Sequence, residues 1–209
     1  MEEYKEKFSN PYEGFSAGEK GVTLDEAKPI IANPGPLGLL GFGMTTVLLN
    51  LHNAGFIELS VMIVAMGFAA GGLMQIIAGI FELKQGNTFP GTAFIAYGCF
   101  WWSLIFILLN PLEVMDEADE MSMGFYLALW GVFTLFMFIG SLRHNRATQV
   151  VFLTLAILFF GLAASDFTGI EIVLQGSGFL GIFCGASAMY NAMGQVLKGE
   201  YGREVLPLG

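Results

Sequence analysis

This sequence is short of charge. In 209 residues there are 9 Lys and Arg, 18 Asp and Glu, and 2 His, and the net charge is −9 at neutral pH. That balance excludes a nucleic-acid binder, which needs a basic footprint to displace counterions. Cysteine is scarcer still, with Cys99 and Cys184 alone. Each falls inside a different apolar run, so both read as buried free thiols rather than a disulfide. His52 and His144 stand apart from each other and from both cysteines, which leaves no Cys/His metal spacing. Neither a phosphate-binding glycine loop nor a nucleophile elbow is present, and no apolar core follows a basic start as in a cleaved signal peptide. No catalytic constellation, cofactor motif or metal site emerges, and an enzyme is not expected.

What fills the chain instead is apolar sequence, 55% of all residues. Six long runs nearly free of charge lie at about 37–55, 59–83, 91–110, 121–142, 147–165 and 172–197. Each is long enough to cross a hydrocarbon core of about 30 Å as a helix. Outer-membrane strands would alternate polar and apolar residues, and these runs do not. The fold class expected is an all-α integral membrane protein of six transmembrane helices. Its divisions are an acidic tail over 1–32, a helical domain over 33–197 and a short tail over 198–209.

The few cations set the topology. Lys5, Lys7, Lys20 and Lys28 precede the first run, Lys84 follows the second, Arg143 and Arg146 follow the fourth, and Lys198 and Arg203 follow the sixth. All nine therefore fall on one side, which the positive-inside bias makes the cytoplasm, with both termini there and the chain multi-pass in the plasma membrane. The acidic run Glu113, Asp116, Glu117, Asp119 and Glu120 falls in an external loop and reads as solvated surface.

Polar side chains in hydrocarbon normally face a cavity or a neighbouring helix. Those within the runs include Thr45, Thr46, Asn50, Gln75, Glu82, Tyr97, Thr134, Thr154, Gln175, Ser187, Tyr190, Asn191 and Gln195. For a single Ser or Thr the plainer expectation is a bond to its own backbone four residues back. Gly67/Gly71 and Gly181/Gly185 have the spacing that lets helices pack closely. Asn33-Pro34-Gly35-Pro36 ends any preceding helix and suits the first turn of the next, whose free N–H groups could receive an anion. No Lys or Arg lies inside a run, so an anion crossing here would be held weakly, by dipoles and hydroxyls.

From Asn33-Pro34-Gly35-Pro36-Leu37-Gly38-Leu39 through Gly41-Phe42-Gly43, the chain resembles the acetate uptake transporter family, the succinate–acetate permeases. The family pattern has Ala where Gly35 stands. The resemblance continues at Leu49-Asn50-Leu51-His52-Asn53, Gly71-Gly72-x-x-Gln75-x-x-x-Gly79, Gly86-Asn87-Thr88-Phe89 and Tyr97-Gly98-x-Phe100-Trp101. It reaches the tail Gly202-Arg203-x-Val205-Leu206-Pro207, and covers nearly everything from residue 32 onward. The resemblance implies a homohexamer with one pore per subunit, carrying acetate and related short carboxylates, succinate among them. It also implies a hydrophobic constriction at Phe42, Tyr97 and Leu155. An anion pathway is expected along Asn33, Pro34, Gly35, Leu37, Gly38, Thr45, Asn50, Gln75, Glu82, Asn87 and Thr88. The expected partners are carboxylates, lipid and further copies of the chain. Proton-coupled symport of the same substrates is the alternative mechanism; an aquaporin-type channel and an acetate or ammonium sensor are weaker alternatives.

Overall fold

A computed structural model describes residues 32–110 and 116–209, and Asn33–Gly209 form one compact unit. The expectations for the N-terminal tail and for Glu113 fall outside the described residues. Among these, every regular element is helical: α1 (Gly35–Asn53), α2 (Val61–Lys84), α3 (Thr88–Leu109), α4 (Glu120–Ser141), α5 (Arg146–Thr168) and α6 (Glu171–Tyr201). Five of them, α2 to α6, are long and apolar enough to cross a membrane. Helix α1 has 19 residues and no Asp, Glu, Lys or Arg, but its glycines, Asn50 and His52 keep it from matching the apolar stretches of those five.

Local chemistry accounts for the boundaries. Helix α1 starts where Asn33 Oδ1 accepts the Gly35 N–H at 3.0 Å, with Pro36 in the first turn. Asp119 caps α4 by accepting the Ser122 N–H at 2.7 Å, and Asn145 caps α5 by accepting that of Thr148 at 2.8 Å. Helix α3 begins earlier than the apolar run because Pro90 sits within its first turn, where a missing N–H costs nothing. Helix α6 runs on to Tyr201, past the apolar limit near 197, since leaving hydrocarbon does not break a helix; Gly202, with φ 63°, ends it.

Each helix packs against its neighbours in chain order, and α6 closes back on α1, so the six form a ring. The α1–α6 crossing is the closest. A Cβ on Gly185 would lie 2.6 Å from the Gly43 carbonyl oxygen, and one on Gly43 would lie 2.7 Å from that of Gly185. Gly181 leaves room for the Asn50 side chain. In α2 the stretch Gly67–Met74 is π-helical, and Trp101 and Trp102 of α3 sit on Gly71 and Gly72. Both glycine pairs thus serve helix packing within the subunit. The cysteines are both free, but only Cys184 is buried; Cys99 is exposed on the outer face of α3, a surface the apolar run did not distinguish from the inner one.

Candidate functional site

Where α1, α3 and α5 begin and α2 ends, the ring opens into a cavity of about 490 Å³. Asn33, Gly35 and Leu39 line it from α1 and Glu82 from α2. Asn87, Thr88, Phe89, Pro90, Ala93 and Phe94 come from the start of α3. His144, Asn145, Thr148 and Phe152 come from α5 and the turn before it, and Gln195 from α6. Its polar side is ordered by a chain of amides. Asn33 Nδ2 donates to Gln195 Oε1 at 2.9 Å, Gln195 Nε2 to Asn191 Oδ1 at 3.1 Å, and Asn191 Nδ2 to Thr148 Oγ1 at 2.9 Å. Asn87 Nδ2 donates to Glu82 Oε2 at 2.7 Å.

Glycine at 35 matters to this arrangement. A Cβ there would lie 3.1 Å from Asn33 Oδ1 and 3.3 Å from both Gln195 Oε1 and Glu82 Oε1. Three acceptors therefore crowd the start of α1, and the Glu82 carboxylate already occupies the neighbourhood an incoming anion would seek.

Below the cavity the space narrows to about 30 Å³, enclosed by Leu39, Phe42, Phe94, Tyr97, Thr148, Val151, Phe152 and Leu155. Leu39, Phe94, Thr148 and Phe152 line both spaces, so the neck is the floor of the cavity. Phe42, Tyr97 and Leu155 are all buried in the neck, and the Phe42 and Tyr97 rings lie 6.0 Å apart. The Tyr97 hydroxyl points away from it, donating to Thr134 Oγ1 at 3.0 Å, while Thr134 Oγ1 donates to the Trp130 carbonyl at 2.7 Å. What Tyr97 offers the neck is its ring. A space this small holds about one water, and a largely apolar wall of this kind favours dewetting.

Of the residues expected on the pathway, the structure gathers Asn33, Gly35, Glu82, Asn87 and Thr88 around the cavity. Pro34, Leu37, Gly38, Thr45, Asn50 and Gln75 line neither space. Pro34 caps α1, Leu37 is exposed, and Gly38 leaves room for the Phe94 ring. Thr45 donates to the Gly41 carbonyl at 2.6 Å, the plainer outcome expected of such a hydroxyl. Asn50 donates to the Thr46 carbonyl at 2.8 Å and accepts from Asn53 Nδ2 at 3.1 Å. Gln75 donates to the Gly71 carbonyl at 2.6 Å, and its buried Oε1 has no partner. Not singled out for the pathway in the sequence were His144, Thr148, Phe94, Phe152 and Gln195. The Asn145-x-x-Thr148 capping pattern was the one signal marking where α5 opens onto the cavity.

Comparison with known proteins gives this geometry its context. The chain is 53% identical over 180 residues to the succinate-acetate/proton symporter SatP of Escherichia coli strain K12, covering 86% of this chain and 96% of that one. It is 31% identical over 195 residues to acetate permease A of Emericella nidulans, covering 85% and 65%. A solved structure described as the bacterial acetate channel SatP superposes with a TM-score of 0.84 at 53% identity, covering 86% of this chain and 99% of that one. The sequence profile of the GPR1/FUN34/yaaH family matches residues 20–203, and the chain belongs to that family.

Proposed function

We propose that this chain transports acetate and related short carboxylates, succinate included, across the plasma membrane. One conduit runs through each subunit, from the cavity beside Glu82 through the neck at Phe42, Tyr97 and Leu155. The observation that carries the reading is that these three residues, far apart in sequence, enclose one narrow apolar space at the floor of a polar cavity. Among the described residues no Lys or Arg lines either space, so apart from Glu82 and His144 a carboxylate meets amides, hydroxyls and helix dipoles, which suits passage better than retention. The names of the E. coli symporter and of the solved acetate channel support the substrate class, and they differ on proton coupling.

In this reading α1 is a sixth span, packed between α2 and α6 in the ring. The distribution of the nine cations supports a cytoplasmic position for both termini. Six subunits assemble, and the protein is a conduit rather than an enzyme. Reconstituted into liposomes, the purified protein should take up labelled acetate well above protein-free liposomes and take up a neutral solute such as glycerol no faster than they do. Glycerol uptake without acetate uptake would favour a neutral-solute channel and end the carboxylate reading.

A further inference from the structure

Among the described residues two ionisable side chains line the wide cavity, Glu82 and His144, and the second has no role in the account so far. His144 is held in place at both backbone groups. Its N–H donates to the Ser141 carbonyl at 2.8 Å, and its own carbonyl accepts from Gln149 Nε2 at 2.9 Å. The ring stacks on Phe89, with centroids 4.6 Å apart and planes at 26°. Phe89 meets Phe152 edge-on at 5.4 Å, and Phe152 lines the neck, 6.3 Å from the Tyr97 ring. Among the described residues nothing hydrogen-bonds the imidazole nitrogens of His144, so its edge is open to water while its face is fixed on the path.

Imidazole is the side chain whose charge ordinarily changes within the physiological range of pH. We infer that His144 is the reversible anion-attracting group of the cavity: protonated, it draws carboxylates to the mouth of the conduit, and transport falls as it loses its proton. The inference rests on the transport reading above. A cation over the Phe89 face is also held more firmly than a neutral ring, which steadies the aromatic pair leading to the neck. Among the described residues lining the cavity with His144, Glu82 at the end of α2 is the one other with an ionisable side chain. Helices α1, α3 and α6 present the neutral amides of Asn33, Asn87 and Gln195, and Arg143 and Arg146 flank it in the chain. Protonating Glu82 would also favour anions as pH falls, so the two residues need separate tests.

The measurement is exchange of labelled acetate by proteoliposomes at equal pH on both faces and a fixed acetate-anion concentration, with exchange by protein-free liposomes subtracted. Between about pH 5.5 and 7.5 the wild-type rate should fall about threefold, the effect of removing one partly screened charge from the mouth. His144→Asn should flatten that profile by lowering the acid-side rate. His144→Arg should flatten it the opposite way, by raising the alkaline-side rate, which a packing defect would not do. A His144→Asn variant that keeps the wild-type slope overturns the inference, as does a slope lost in Glu82→Gln but kept in His144→Asn. Absence of any exchange by the wild-type protein would instead remove the transport reading, and this inference with it.

Discussion

Tyr97 shows how much of this site rests on one side chain. Its ring packs on Phe42, Phe133 and Phe152, while its hydroxyl leaves the neck to bond Thr134 on α4. With the packing of Phe100 on Tyr126 and Trp130 and the Ser103–Tyr126 hydrogen bond, that bond helps hold α3, which carries the neck's Tyr97, to α4. An interhelical hydrogen bond in a membrane contributes about 0.6 kcal/mol. Tyr97→Phe should therefore lower the melting temperature of the detergent-solubilised protein by a small but resolvable step, and Thr134→Ala should add little on top of it. Additive effects would show that the two groups do not act as a pair. The three neck residues came from family resemblance, because no spacing rule links Phe42, Tyr97 and Leu155. The cavity's His144, isolated in sequence, was not expected on the pathway for a related reason. A lone histidine beside two arginines reads as surface, and only the turn at Ser141–His144 folds its ring onto Phe89.

Helices were the most legible level, since a run of apolar residues long enough to span hydrocarbon needs no partner to be recognised. Where boundaries differed, the causes were local: Pro90 tolerated in a first turn, and a polar extension of α6 ended by Gly202. Which face each helix turns inward was less legible, because both sides of a membrane helix are apolar; Cys99 and Leu37 both face outward for that reason. The α1–α6 crossing is the element contact with the least slack. Gly185→Val would press a branched side chain onto the Gly43 carbonyl and Val47, spreading the pair that carries Phe42. The expected outcome is loss of folded, monodisperse protein on size-exclusion chromatography, with Gly176→Val, where a Cβ meets nothing, as the tolerated control. The start of α4 carries a pH dependence. The Ser122 side chain and N–H hold the Asp119 carboxyl below its usual value, so the stability it lends is present above the unfolded pKa and lost as pH falls through the folded one. The protection factor of the Ser122 amide, its exchange relative to an unstructured amide at the same pH, should fall in that acid window, and Asp119→Asn should remove the change.

At the scale of the whole molecule, the outer surface is strongly apolar. Leu129 is 72% exposed, Phe136 70% and Ile172 75%, as suits a body surrounded by lipid and, in the proposed hexamer, by further copies of itself. Native mass measurement of the protein from mild detergent should give six times the 22.6 kDa chain mass; a monomer in every detergent would contradict the hexamer. Within one subunit the ring of helices holds a polar cavity above an apolar neck, and the claim that carboxylates cross there is tested most directly at Leu155. The measurement is uptake of acetate and of longer monocarboxylates by proteoliposomes carrying wild type, Leu155→Trp and Leu155→Ala, at equal amounts of folded protein. The account predicts that the tryptophan closes the neck to every acid, while the alanine preserves acetate uptake and raises that of the longer acids relative to it. Uptake unchanged in Leu155→Trp would place the conduit elsewhere in the molecule.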